Sequence, residues 1–221
     1  MNNIIRWLSV FLLPVLFSSG TLAEDYREGT EYLRLASPQP TSTQDKIEVV
    51  ELFWYGCPHC YYLEPHLDKW LANKPDDVEF IRIPAVLGKS WELLTKGYYV
   101  AELLGVLDKT HSELFKALHD KRMKIRDESS LQAFFAEQGV SKEDFTKTFH
   151  SFAVAVKMNN SRLMTKRYAL TGVPTLIVNG KFSTSGSRAG GTPQIIGVVD
   201  YLIAQERART NAAPAVSESS K

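Results

Sequence analysis

The 221-residue chain has two cysteines, and they stand three apart in Gly56-Cys57-Pro58-His59-Cys60. The preceding stretch, Lys46–Tyr55 (KIEVVELFWY), is rich in β-branched and aromatic residues, as a buried strand requires. Its apolar positions fall on both faces, which fits a central strand covered on both sides. The following stretch, Pro58–Asn73, reads as a helix with Pro58 in its first turn, where a missing N–H costs little. Pro65 falls inside that helix and is expected to kink it, because its ring removes one ladder bond. Val78–Ile83 (VEFIRI) is a second strand. Strand, helix, strand in this order is a βαβ unit with a right-handed crossover. Both cysteines therefore sit where a central strand hands over to the start of a helix.

Downstream, residues 88–170 contain no good strand. They read as helices over Trp91–Leu104, His111–Lys121, Ser129–Gln138 and a long segment from Lys142 to Leu170, one helix or two with the break unplaced, with stops at Gly105, Gly139 and Gly172. Thr175–Asn179 (TLIVN) is a third strand, and Asn179-Gly180 is a hairpin signal leading into Lys181-Phe182. Thr192–Arg207 is a final amphipathic helix, with Thr192 as its cap and Pro193 at its first position. The order is β-α-β, a helical block, then β-β-α. This is an α/β protein: one mixed sheet flanked by helices, with an all-helical insertion. The expected divisions are a leader at 1–23, the sheet domain at 24–87 and 161–207, the insertion at 88–160, and a disordered tail at 208–221.

The leader is read from three parts. Met1–Arg6 carries one positive charge, Trp7–Phe17 is an apolar run, and Ser18–Ala23 is small and polar, ending at a site that resembles a signal-peptidase site. The run is short for a membrane span. Export would place the cysteines where disulfides persist. The formal charge of +1 falls to zero once Arg6 leaves with the leader. Such a balance offers no basic stripe for nucleic acid or for a membrane surface.

A C-x-x-C at a strand-to-helix junction is a thioredoxin-like redox motif. Cys57 falls at the helix cap, where the helix dipole and unpaired N–H groups stabilise a thiolate, the species that attacks in disulfide exchange. Cys60, one turn inside, is placed to resolve a mixed disulfide. Pro58 shapes the turn. His59 adds a further stabiliser of the thiolate when protonated. Two other readings remain at this point. A structural disulfide is one, although so short a loop does little to constrain the unfolded chain. The other is a zinc site drawn from Cys57, Cys60, His59 and His66, although no second cysteine pair completes it.

Phe53–Cys60, followed by Gly172-Val173-Pro174-Thr175 and Val178-Asn179-Gly180-Lys181, resembles the DsbA family of bacterial periplasmic disulfide oxidases. The resemblance covers nearly the whole mature chain, insertion included. It implies a thioredoxin fold, a cis bond before Pro174 facing the cysteines, and a substrate strand lying along the backbone of Val173. It implies no cofactor beyond the Cys57–Cys60 disulfide, and a monomer. It also implies exported cysteine-containing proteins as substrates and reoxidation by a quinone-linked membrane enzyme of the DsbB type. Within the same fold an isomerase or reductase is the alternative, and a copper- or zinc-binding chaperone is another. A histidine between the cysteines, where thioredoxin-type reductases carry an uncharged residue, favours the oxidase.

Glu51 and Arg82 interrupt the two apolar strands, and a charge in a central strand is costly unless paired. If the strands are neighbours, the two residues meet beneath the cysteines. The resemblance assigns a buried acid at Glu51 to tuning and proton relay. Arg82 stands where the family often has Lys, and its permanent charge speaks against proton donation. His66, His111, His119 and His150 are read as surface or structural residues. Phe53, Trp54, Tyr55, Tyr61 and Tyr62 divide between core and an apolar surface around Cys57 in proportions that spacing leaves open.

Overall fold

The computed structural model describes residues 26–212. The leader lies outside the described residues, as does the segment 213–221. β1 (Leu33–Arg34), β2 (Ile47–Phe53), β3 (Val78–Pro84), β4 (Thr175–Val178) and β5 (Phe182–Ser185) form one mixed sheet in the order β1-β5-β4-β2-β3. β2 runs parallel to β3 and antiparallel to β4. It is buried at all seven positions, as the two-faced apolar pattern requires. Val49 packs toward α1 (Pro58–Leu71) and α8 (Ile195–Ala212), together with Leu63, Leu67, Val198 and Leu202. Val50 and Leu52 pack on the opposite face with Tyr168.

The helical block comprises α2 (Glu92–Leu103), α3 (Leu107–His119), α4 (Glu128–Glu137), α5 (Lys142–Phe149) and α6 (Phe152–Arg167). Its core of Leu114, Phe115, Leu131, Phe134 and Phe145 is continuous with Phe53, Tyr55 and Cys60 at the end of β2 and the start of α1. The insertion thus covers the cysteine end of the sheet and buries it.

Several boundaries differ from the expected ones. The Lys142–Leu170 segment, open to one helix or two from its sequence, is two, and the break falls at Ser151, whose hydroxyl accepts from Val154 N and caps a new helix. That helix ends at Arg167, and Ala169 takes the left-handed turn (φ 47°) ahead of Gly172. A division at 160/161 therefore falls inside α6. α8 starts at Ile195, since Thr192 and Pro193 lie in a turn closed by Ile195 N donating to Thr192 O. It continues through Ala212, so the segment expected as tail is helical from Ala208 to there; helix-forming alanines and the Glu206–Arg209 pair support that extension. β1 went unforeseen. α1 runs on through Pro65. The Asn179-Gly180 turn has positive φ at both residues (51° and 61°), and a side chain on Gly180 would strike the backbone of Gln39. The short α7 (Gly186–Ala189) follows β5.

Candidate active site

Cys57 is the N-cap of α1, with extended backbone (φ −94°, ψ 116°). Both cysteines are free, so this is the dithiol form. The Cys57 thiol is half-buried and donates to the carbonyl of Val173 at 3.4 Å, making no cap bond in this state. Once ionised, it becomes an acceptor at a helix start. The largest influence on it is then the Cys60 thiol; burial opposes, and the N–H groups of Cys60 and His59 assist, followed by the charge of His59. Together they lower the Cys57 thiol to about 6. Burial pushes the Cys60 thiol in the opposite direction, well above its ordinary value. One motif thus contains a thiol ready to ionise and a thiol that holds its proton.

The structure redistributes the roles read from sequence. His59 is exposed and contributes least among these influences, because its ring lies out at the surface. It lines a groove of about 490 Å³, whose other walls include Gly172, Val173, Pro174, Ser185 and Gly186. Pro58 is exposed in the first turn of the helix. The Val173–Pro174 bond is cis. Pro174 is buried and Val173 half-buried, so the groove follows the strand approach to β4, and Cys57 touches it through the Val173 carbonyl. Among the described residues no group of three His, Cys, Asp or Glu side chains is placed to hold a metal. Of the residues in the zinc reading, His66 is exposed and Cys60 fully buried.

Beneath the cysteines lies the expected ion pair, and more. Glu51 and Arg82 are register partners on β2 and β3, with Nε of Arg82 donating to Oε2 of Glu51 at 3.0 Å. The same guanidinium donates from Nη2 to Oε2 of Glu64 on α1 at 2.9 Å. His111 Nε2 lies 3.2 Å from that oxygen, and its Nδ1 lies 2.8 Å from the Tyr55 hydroxyl. Burial pushes both Glu51 and Glu64 up to about 7 and drives His111 down to about 4. His111 is therefore neutral at neutral pH. The Glu51 charge in turn disfavours ionisation of Cys60. Sequence reading missed Glu64 and His111. Their signal was spacing: Glu64 follows Cys60 by four on the face that buries Leu63 and Leu67.

The aromatic residues divide cleanly. Phe53 and Tyr55 are core, and Tyr62 is 61% exposed. Trp54 stacks on Trp91 with ring centroids 4.3 Å apart. A side chain on Gly56 would strike the Trp54 indole, so the residue before Cys57 must be glycine for that ring to fold over the turn.

A thiol pair at a strand-to-helix turn, beside a cis proline, on a mixed sheet with a helical insertion, matches known proteins. The profile of the DSBA-like thioredoxin domain aligns with residues 48–192. The chain belongs to the DsbA-like thioredoxin family. It is 40% identical over 208 residues to the thiol:disulfide interchange protein DsbA of Pseudomonas aeruginosa, covering 94% of this chain and 98% of that protein. It is 40% identical over 213 residues to the DsbA of Pseudomonas syringae pv. tomato, covering 96% and 100%. The crystal structure of Pseudomonas aeruginosa DsbA superposes with a TM-score of 0.81 at 42% identity, covering 86% of this chain and 98% of that one. The fold and the class of chemistry follow: this DsbA-like chain is a thiol:disulfide oxidoreductase with a thioredoxin fold and an inserted helical region.

Proposed function

We propose that the chain is a periplasmic oxidase that donates its Cys57–Cys60 disulfide to newly exported proteins. The observation that carries this is the opposed pair of thiols, Cys57 lowered to about 6 and Cys60 raised by burial. A substrate thiolate attacks Cys57 Sγ and forms a mixed disulfide, while the Cys57–Cys60 bond breaks and its electron pair leaves on Cys60, which takes up a proton. A second substrate thiolate then attacks the substrate sulfur and expels Cys57 as a thiolate. The substrate dithiol is oxidised to a disulfide, and the protein is reduced to the dithiol described above. The stable Cys57 thiolate is a good leaving group and favours the reduced protein, which makes the disulfide oxidising.

The backbone of Val173, next to Cys57, offers an extended substrate segment its hydrogen bonds, and Pro174 shapes that edge. The buried Glu51–Arg82–Glu64 cluster tunes Cys60, while Pro58 and His59 tune Cys57. No cofactor is required, because the disulfide is the redox group. The chain acts as a monomer after its leader is removed near Ala23, and a quinone-linked membrane enzyme of the DsbB type reoxidises it. No helix among the described residues is long and apolar enough to cross a membrane. The sheet domain and the helical insertion serve as its two units.

A trapping experiment tests the scheme. Cys60→Ala, exposed to a disulfide-bearing unfolded polypeptide, is expected to accumulate a mixed disulfide through Cys57, and Cys57→Ala none. Equal trapping by both variants contradicts the assignment.

A further inference from the structure

The four residues between β2 and α1 carry the nucleophile, and the carbonyls of Phe53, Trp54 and Tyr55 leading into it have separate partners. Phe53 O accepts from Ala85 N at 2.8 Å, extending the β2–β3 ladder, and Trp54 O accepts from Cys57 N at 3.0 Å within the turn. Tyr55 O accepts from neither sheet nor turn. Its donor is Nε2 of His119, at 2.8 Å, from the last turn of α3 in the helical insertion. A carbonyl can only accept, so the proton of the His119 ring must sit on Nε2. The hydroxyl of the same Tyr55 is held by His111 Nδ1 at 2.8 Å, also from α3. One helix therefore grips one residue at both ends, two positions before Cys57.

His119 also reaches the far side of the motif. Its ring stacks on Tyr61, the residue after Cys60, with centroids 5.2 Å apart and planes within 10°. Tyr61 is fixed in turn by donating its hydroxyl to Asp120 at 2.6 Å. Phe115 packs beside both rings, 6.1 Å from the imidazole and 5.8 Å from Tyr61. The imidazole thus bonds the residue two before Cys57 and packs on the residue one after Cys60.

We propose that His119 is a positioning residue for the Cys57 nucleophile, the point at which the helical insertion sets the geometry of the redox turn. The lowered Cys57 thiol depends on the sulfur meeting the Cys60 thiol and the first N–H groups of α1. That alignment tightens or loosens with the path of Tyr55-Gly56-Cys57, because these contacts fall off steeply with angle. With the clamp removed, Tyr55 O is left without its donor, the turn gains freedom, and the thiolate loses part of its support. The inference rests on Cys57 being the attacking thiol, which the trapping experiment above tests on its own.

The test uses full-length mature protein and two variants. His119→Ala removes the donor, and His119→Gln keeps an N–H at a comparable reach. Thiolate absorbance titration is expected to show the Cys57 midpoint raised by about half a unit in His119→Ala, roughly a threefold change in thiolate equilibrium. The glutathione equilibrium constant should move by a similar factor, and His119→Gln should recover at least half of both changes. An unmoved midpoint in His119→Ala overturns the proposal, as does a glutamine variant no better than alanine. A second measurement needs no variant: nitrogen-15 histidine spectra of the unaltered protein should show the His119 proton on Nε2. A proton on Nδ1 overturns it equally.

Discussion

The Cys57 thiol donates to the carbonyl of Val173, 116 residues away in sequence and 3.4 Å away in space. This contact joins the start of α1 to the approach of β4 and ties the sulfur to Val173, one wall of the groove that runs past Pro174.

Gly172 gives a direct probe of the groove. A Cβ there meets no atom within 4 Å, so the backbone accommodates the start of a larger side chain. Gly172→Leu is expected to slow oxidation of an unfolded protein substrate by about fivefold, roughly 1 kcal/mol of lost binding in the transition state. Oxidation of a small thiol such as glutathione should fall much less. Stopped-flow rates for the two substrates give the ratio, and equal slowing of both would show that the groove does not carry the polypeptide.

The ordering of influences on Cys57 makes a second prediction. The Cys60 thiol stands first and the His59 charge last. Cys60→Ala should therefore raise the Cys57 midpoint by about one unit, and His59→Ser by about half a unit or less. Absorbance titration of the two variants decides the order. A larger shift from His59→Ser would reverse it.

The buried carboxyls make a third. Glu51 and Glu64 hold their protons up to about 7 in the folded chain, against about 4.3 when unfolded. Between those values the unfolded state has released protons that the folded state keeps, so the contribution of these two groups to stability falls as pH rises from about 4.3 to about 7, while His111, lowered to about 4, contributes in the opposite direction up to about 6.5. Glu51→Gln removes one of the two groups, and its stability curve should slope less steeply across that window. Denaturant midpoints from pH 4 to pH 8 measure the slope; an unchanged slope contradicts the burial argument. Breaking the cluster from the other side, with Arg82→Met, should cost about 3–5 kcal/mol by stranding buried carboxylates.

What was legible in the sequence tracks how strongly one residue departs from its background. Glu51 and Arg82 stood out because each interrupts an apolar strand, and their meeting follows from the parallel β2–β3 register. Glu64 did not stand out, since acids are ordinary on helices and only its spacing from Cys60 marks it. His111 and His119 looked like scattered helix residues. The first is buried against Glu64, and the second bonds a backbone carbonyl, which no side-chain pattern reveals. The break at Ser151 was hidden because Phe149 and Phe152 keep the apolar residues running across it, although Phe149 is buried and Phe152 is 84% exposed. β1, two residues long, is too short to carry a period.

The stability of the two redox forms tests the central claim most directly. Most disulfides stabilise the protein that carries them; here the reduced form should be the more stable at pH 7. The sign follows from the thiols. Cys57, lowered to about 6 when folded against about 8.5 unfolded, contributes stability that is complete above about 8.5 and lost as pH falls through about 6. Cys60, raised when folded, contributes stability present below about 8.5 that fades as pH rises beyond it. The excess stability of the reduced form should therefore climb from pH 6, peak near pH 8.5, and decline above it. Denaturant titrations of the dithiol and disulfide forms from pH 5 to pH 10 measure that excess. A positive excess with this maximum supports an oxidase built on Cys57. An oxidised form that is the more stable across the whole range contradicts it.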